Sequence, residues 1–266
     1  MRLAPDLRVN ARVDGDDGEV PAAVVCARCG EADCAGCQHD ESRSGIMAVV
    51  PWERPGAGAF ARLWATARAT TFEAEGFFAA LPDGPLAPAL GFALVSEIIA
   101  ATAMAALALV AVAFVAPAWI EHVVIDELPT AARLAAVGVP LVAALLVLAH
   151  VAHGWALDRG ARRAGARRAT RRALRFGLYA TGWDLVIGPL GALIVAVKDG
   201  LGASVSIATM AVGLPARSAR AFLTGCYRLE GEAARPALRA SYRVAAMATL
   251  VGAVTVIAAL VTVLLA

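Results

Sequence analysis

The chain has 266 residues, 59% of them hydrophobic and only 17% charged, with a mean hydropathy of +0.67. A soluble domain carries about a quarter charged residues and about half apolar ones, so a single water-soluble globule is excluded. A formal net charge of +2 is too small to imply a nucleic-acid partner, and where the charges sit matters more than their sum.

Residues 1–22 form an acidic tail, with Asp6, Asp14, Asp16, Asp17 and Glu19 among small and polar residues. With little to bury, this segment reads as disordered. It has no apolar h-region, so insertion is expected to be directed by later segments.

Residues 23–40 hold CARCGEADCAGCQHD, two C-x2-C pairs formed by Cys26, Cys29, Cys34 and Cys37. Each pair can aim two thiolates at one ion, and four thiolates complete a tetrahedral site, so structural zinc is the leading expectation. His39 is an alternative to Cys37 as fourth ligand. A reduced or disulfide-paired cysteine hairpin and an iron–sulfur centre are the other readings. Glu31, Asp33, Asp40 and Glu41 make the surroundings acidic, which suits protein docking or simple stabilisation better than phosphate.

Residues 41–58 read as a linker, in which Pro51 and Pro55 flank Trp52, an indole suited to the membrane interface. Residues 59–84 read as one or two amphipathic interfacial helices. Phe60, Leu63, Trp64 and Ala67 share a helical face, and Arg62 and Arg68 are placed to reach headgroups. Packing of these aromatics on the membrane bundle is the competing expectation.

Five apolar segments follow, at about Leu90–Pro117, Ala132–Val151, Phe176–Val197, Gly200–Ala216 and Val244–Ala266. A span needs about 20 residues, and only a helix satisfies its own backbone in hydrocarbon. The expected fold class is therefore all-α, a polytopic bundle of five transmembrane helices over residues 85–266 with a small amino-terminal four-cysteine module. The loops set its orientation. The turn after the first segment carries Glu121, Asp126 and Glu127. The turn after the second carries DRGARRAGARRATRRALR, with eight arginines against Asp158. The turn after the third is the short KDG, and that before the last is again rich in arginine. Guanidinium groups stay on the cytoplasmic side, so the amino terminus is expected inside and the carboxyl terminus outside the cytoplasmic (inner) membrane.

FFAALPDGPLAPALGFALV before and into the first segment, and RFGLYATGWDLVIGPLG entering the third, resemble the Yip (Ypt-interacting-protein) family of small integral membrane proteins. The paired aromatics Phe77 and Phe78, a proline-spaced first span and a Tyr-Ala step before a Pro/Gly-containing helix carry the resemblance, over roughly residues 60–266. It departs from the family at Glu75 and Gly76, where a proline is often found, and in the added cysteine module. The resemblance implies five spans with a cytoplasmic amino terminus and no catalytic residues. Eukaryotic members are implicated in vesicle trafficking with small GTPases, and only the membrane architecture is carried over to this chain.

No HExxH, GxSxG or phosphate-cradling glycine loop is present, so an enzyme is not expected. The leading expectation is a non-catalytic membrane protein that binds an unidentified cytoplasmic protein partner and anionic headgroups, with assembly into an oligomer left open. Arg162, Arg163, Arg167, Arg168, Arg171 and Arg172 are the candidate contacts. Glu97 and Asp184 lie inside spans, where an ionised carboxylate costs about 2.5–3.5 kcal/mol on insertion scales, so a small ion or solute transporter is an alternative. Asp184 bonding a neighbouring helix is the plainer reading. A zinc- or redox-responsive sensor is a third. His150 and His153 share a helical face and could ligate metal, with no third ligand evident nearby. Cys226 reads as an ordinary residue. Glycines in the third and fourth segments predict close helix contacts, and Pro189 predicts a kink.

Overall fold

The computed structural model describes residues 50–56, 58–122, 127–188, 191, 194, 198, 199 and 213–265. The chain divides into two compact units, 1–46 and 47–266. The acidic tail, the four clustered cysteines, Pro189 and residues 200–212 of the fourth predicted span all lie outside the described residues.

Every regular element among the described residues is helical. A 3-10 turn, Pro51–Glu53, precedes α1 (Ala59–Phe72), α2 (Ala74–Ala79), α3 (Leu86–Val115), α4 (Pro117–Ile120), α5 (Leu128–Arg163), α6 (Thr170–Ala180) and α7 (Gly182–Val186). A helical stretch over 213–222 runs into a π turn, Leu223–Tyr227, and α8 (Gly231–Leu265) follows.

Three of these helices, α3, α5 and α8, are long and apolar enough to cross a membrane. Only 12%, 11% and 6% of their most apolar windows is buried within the chain. Their outer faces show Leu94, Ile98, Leu109, Phe114, Leu148, Leu250, Val254 and Ile257, a surface suited to lipid rather than water. The helices α5 and α8 run antiparallel. A Cβ on Gly160 would collide with the backbone of Ala237, and one on Gly252 would meet the Leu145 side chain 3.7 Å away. The two contacts share one register along both helices.

The start of α3, the end of α5 and the start of α8 lie together, and a buried cap is built there from the 3-10 turn, α1, α2, α6, α7 and the π turn. Its core is aromatic. Phe78 packs edge-on to Phe176 at 4.7 Å between ring centroids, Phe176 stacks on Phe222 at 4.7 Å, and Phe92 tilts against Tyr179 at 5.3 Å. Leu157, Tyr179 and Leu223 are fully buried beside them.

Among the described residues, the first part of the predicted helix from Phe176 is two short ones, α6 and α7. Thr181 breaks it, its hydroxyl donating back to the Leu178 carbonyl, and Gly182 then packs against Ala67 and Thr70 of α1. Phe176, Leu178, Tyr179, Trp183 and Leu185 are apolar because they fill the cap core. The arginine run is likewise less of a loop than its charge suggests. Arg159, Arg162 and Arg163 complete the last turns of α5, Arg171, Arg172 and Arg175 lie on α6, and only residues 164–169 connect them.

The helices α1 and α2 divide between the two readings of residues 59–84. Leu63, Ala67 and Phe78 are buried on the bundle, while Phe60, Trp64 and Phe72 face outward. Arg62 donates to the carbonyls of Trp52 and Arg54, which holds the 3-10 turn, while Arg68 remains exposed. Trp52 itself donates through Nε1 to the Pro88 carbonyl at 2.8 Å, so the described end of the linker is docked on α3.

Candidate functional site

Helix packing brings three polar residues from separate elements together. Glu97 comes from α3, His150 from α5 and Asp184 from α7. One ligand atom from each lies within 4.8 Å of the other two. His150 Nε2 lies 2.8 Å from Asp184 Oδ2, a hydrogen bond in which the imidazole donates, and 3.6 Å from Glu97 Oε1. Glu97 is completely buried, and neither of its oxygens has a hydrogen-bond partner. The Asp184 side chain is about one-third exposed, at 37%, and that of His150 is 16% exposed.

Local packing explains how these groups meet. A Cβ on Gly177 would strike the carbonyl of His150, and one on Gly154 would strike the carbonyl of Ala173. The two glycines therefore let α5 and α6 touch backbone to backbone, the close approach that small residues permit between membrane helices. That contact fixes the turn of α5 from which His150 projects. Trp183, next to Asp184, donates its indole N–H to the Thr70 carbonyl at 2.8 Å and meets the His150 ring edge-on at 6.0 Å.

The histidine pair is split by this arrangement. His150 turns to the carboxylates, while His153 is buried between the rings of Phe176 and Tyr242, at 5.8 and 6.0 Å. The third group missing from the sequence reading of His150 comes from α3 and α7, 53 and 34 positions away in the chain. No periodicity within a single helix could have revealed it.

Two further polar nodes tie the cap together. Arg175 is completely buried and forks onto Glu53, with Nη1 2.8 Å from Oε1 and Nη2 3.1 Å from Oε2. It also donates to the Pro85 carbonyl, and the Tyr179 hydroxyl, one turn along α6, donates to the same Glu53 carboxylate. Asp158, the lone acid of the arginine run, is the second node and is also fully buried. Its carboxylate accepts the Ala169 N–H at 3.0 Å and the hydroxyls of Thr170 and Tyr227 at 2.7 and 2.8 Å, with Arg162 Nε at 3.2 Å. It thereby staples the end of α5 to the start of α6 and to the π turn.

The six candidate headgroup arginines fall into two groups. Arg162, Arg163, Arg167, Arg168 and Arg171 are exposed, whereas Arg172 is half-buried and donates to the Leu81 carbonyl. Cys226, in the π turn, is half-buried, and burial pushes its thiol pKa up to about 11.

Set beside known proteins, the chain matches no family profile, no curated protein and no solved structure.

Proposed function

We propose that the chain is a non-catalytic, five-span integral membrane protein similar to the Yip family, which binds anionic headgroups and a protein partner through the face of its cap. In this reading it lies in the inner membrane, with its amino terminus cytoplasmic and its carboxyl terminus outside. The supporting observation is the position of Arg162, Arg163, Arg167, Arg168 and Arg171. These exposed guanidinium groups cluster on the folded cap, at the end where α3 begins, α5 ends and α8 begins. Each arginine near an anionic surface contributes about 1 kcal/mol to headgroup attraction. The cysteine module, with zinc held by Cys26, Cys29, Cys34 and Cys37, would dock protein by itself or sense metal or redox state. Crosslinking in native membranes tests the reading. The parent chain is expected to capture a defined protein partner, and a chain with Arg163, Arg167, Arg168 and Arg171 changed to Gln is expected to lose it. Equal capture by both chains would remove the arginine face from the account.

A second reading, passage of an ion or small solute, is favoured by His150, which supplies the basic group that Glu97 and Asp184 lacked in the sequence. Reconstituted vesicles should then show a flux that falls in Glu97→Gln and Asp184→Asn. An unchanged flux in both variants would discard it.

A further inference from the structure

We propose that Glu97, His150 and Asp184 form a binding site for a first-row transition-metal dication, held by two carboxylates and one imidazole nitrogen between α3, α5 and α7. Such binding does not require that any ion pass through the protein. Metal–nitrogen and metal–oxygen bonds of about 2.0–2.2 Å at tetrahedral or octahedral angles place donor atoms about 2.8–3.6 Å apart. The observed separations of 2.8 and 3.6 Å around His150 Nε2 lie at the two ends of that range, and all three donor atoms lie within 4.8 Å of one another.

Both oxygens of Glu97 are buried without a hydrogen-bond partner, on a side chain with no exposure at all. A buried carboxylate left so is expensive, and buried charges are normally paired or bound to metal. A cation between the three groups satisfies Glu97 and neutralises the paired carboxylates in one step. Imidazole suits zinc, iron, nickel and copper, whereas magnesium and calcium prefer all-oxygen sets, so the mixed donor set selects the transition series. Binding at His150 Nε2 requires the imidazole proton to sit on Nδ1, so the metal replaces the hydrogen bond to Asp184. The backbone contact at Gly177 and the Trp183 hydrogen bond hold two of the three donors before any ion arrives.

The test uses the full chain in detergent, with Cys26, Cys29, Cys34 and Cys37 changed to Ser so that thiolates cannot compete. Equilibrium dialysis against Zn2+, and separately against Mn2+, is expected to find a single ion per chain, with Zn2+ bound more tightly. X-ray absorption of the zinc-loaded chain is expected to show one imidazole and oxygen neighbours. Glu97→Gln, His150→Gln and Asp184→Asn should each weaken binding by at least about tenfold, given that loss of even an outer-shell partner costs that much. Glu75→Gln, at an exposed acid of α2, should leave it unchanged. Binding no higher than a detergent blank, or equal affinity in all three variants, would overturn the proposal. If the variants aggregate, the parent spectrum decides alone: a bound ion without an imidazole neighbour excludes the site.

Discussion

Arg175 carries the largest single-residue consequence in the cap. A fully buried guanidinium is tolerable only because Glu53 and the Pro85 carbonyl meet it, and removing one partner of a buried pair costs about 3–5 kcal/mol. Glu53→Ala should therefore lower the unfolding midpoint sharply in a fixed detergent. The double variant Glu53→Gln with Arg175→Met should recover part of that loss, because no unpaired charge then remains. Additive losses in the two changes would argue against the ion pair as the fastener of the linker. Cys226 gives a pH-dependent readout in the same region. Its thiol pKa, raised to about 11 by burial, leaves little thiolate at neutral pH. Alkylation in a chain whose other cysteines are serine should be slow near neutrality and still accelerate above pH 9. An exposed thiol, with a pKa of about 8.5, would instead approach its plateau there.

Among the elements, the α5–α6 crossing is the contact on which the polar cluster depends. Gly177 faces the His150 carbonyl with no room for a methyl group, so Gly177→Ala must push α6 away from α5. Gly91, in the first turns of α3, has open space where its Cβ would stand. Gly91→Ala is expected to be neutral or to stabilise by up to about 1 kcal/mol through helix propensity. Gly177→Ala should destabilise and, by moving His150, also weaken any ion bound with Glu97 and Asp184. Thermal melts of the two single variants in one detergent separate the cases, and similar melting points would show that the crossing is looser than described.

The whole molecule is defined by where its apolar surface lies. Among the described residues, the helices α3, α5 and α8 leave most of their apolar windows uncovered, a surface suited to lipid. Five spans and three spans put the two chain ends on opposite sides alike, but they differ at Lys198. With five spans, Lys198 sits across the membrane from the arginine face; with three, it shares that side. In a chain stripped of its native cysteines, Lys198→Cys should react with an impermeant thiol reagent added outside, and Arg163→Cys should not. Labelling of both positions only from the cytoplasmic side would reduce the count to three.

Composition and pattern were enough to determine an all-helical chain with membrane-length apolar segments and arginines gathered at particular turns. These properties follow from hydropathy summed over about 20 residues and from local charge, and both are readable along the chain. The same reading picked out Glu97 and Asp184 separately, because a carboxylate in an apolar run stands out wherever it occurs. Only the tertiary structure decided that His150 lies between them, that Arg175 is a buried fastener while Arg163 is an outer charge, and that the segment after Phe176 fills a cap core. Each of these depends on which helix faces which. In this chain that choice is made by backbone contacts at glycines such as Gly154 and Gly177, whose partners lie about twenty residues away or more and leave no periodic trace in the sequence.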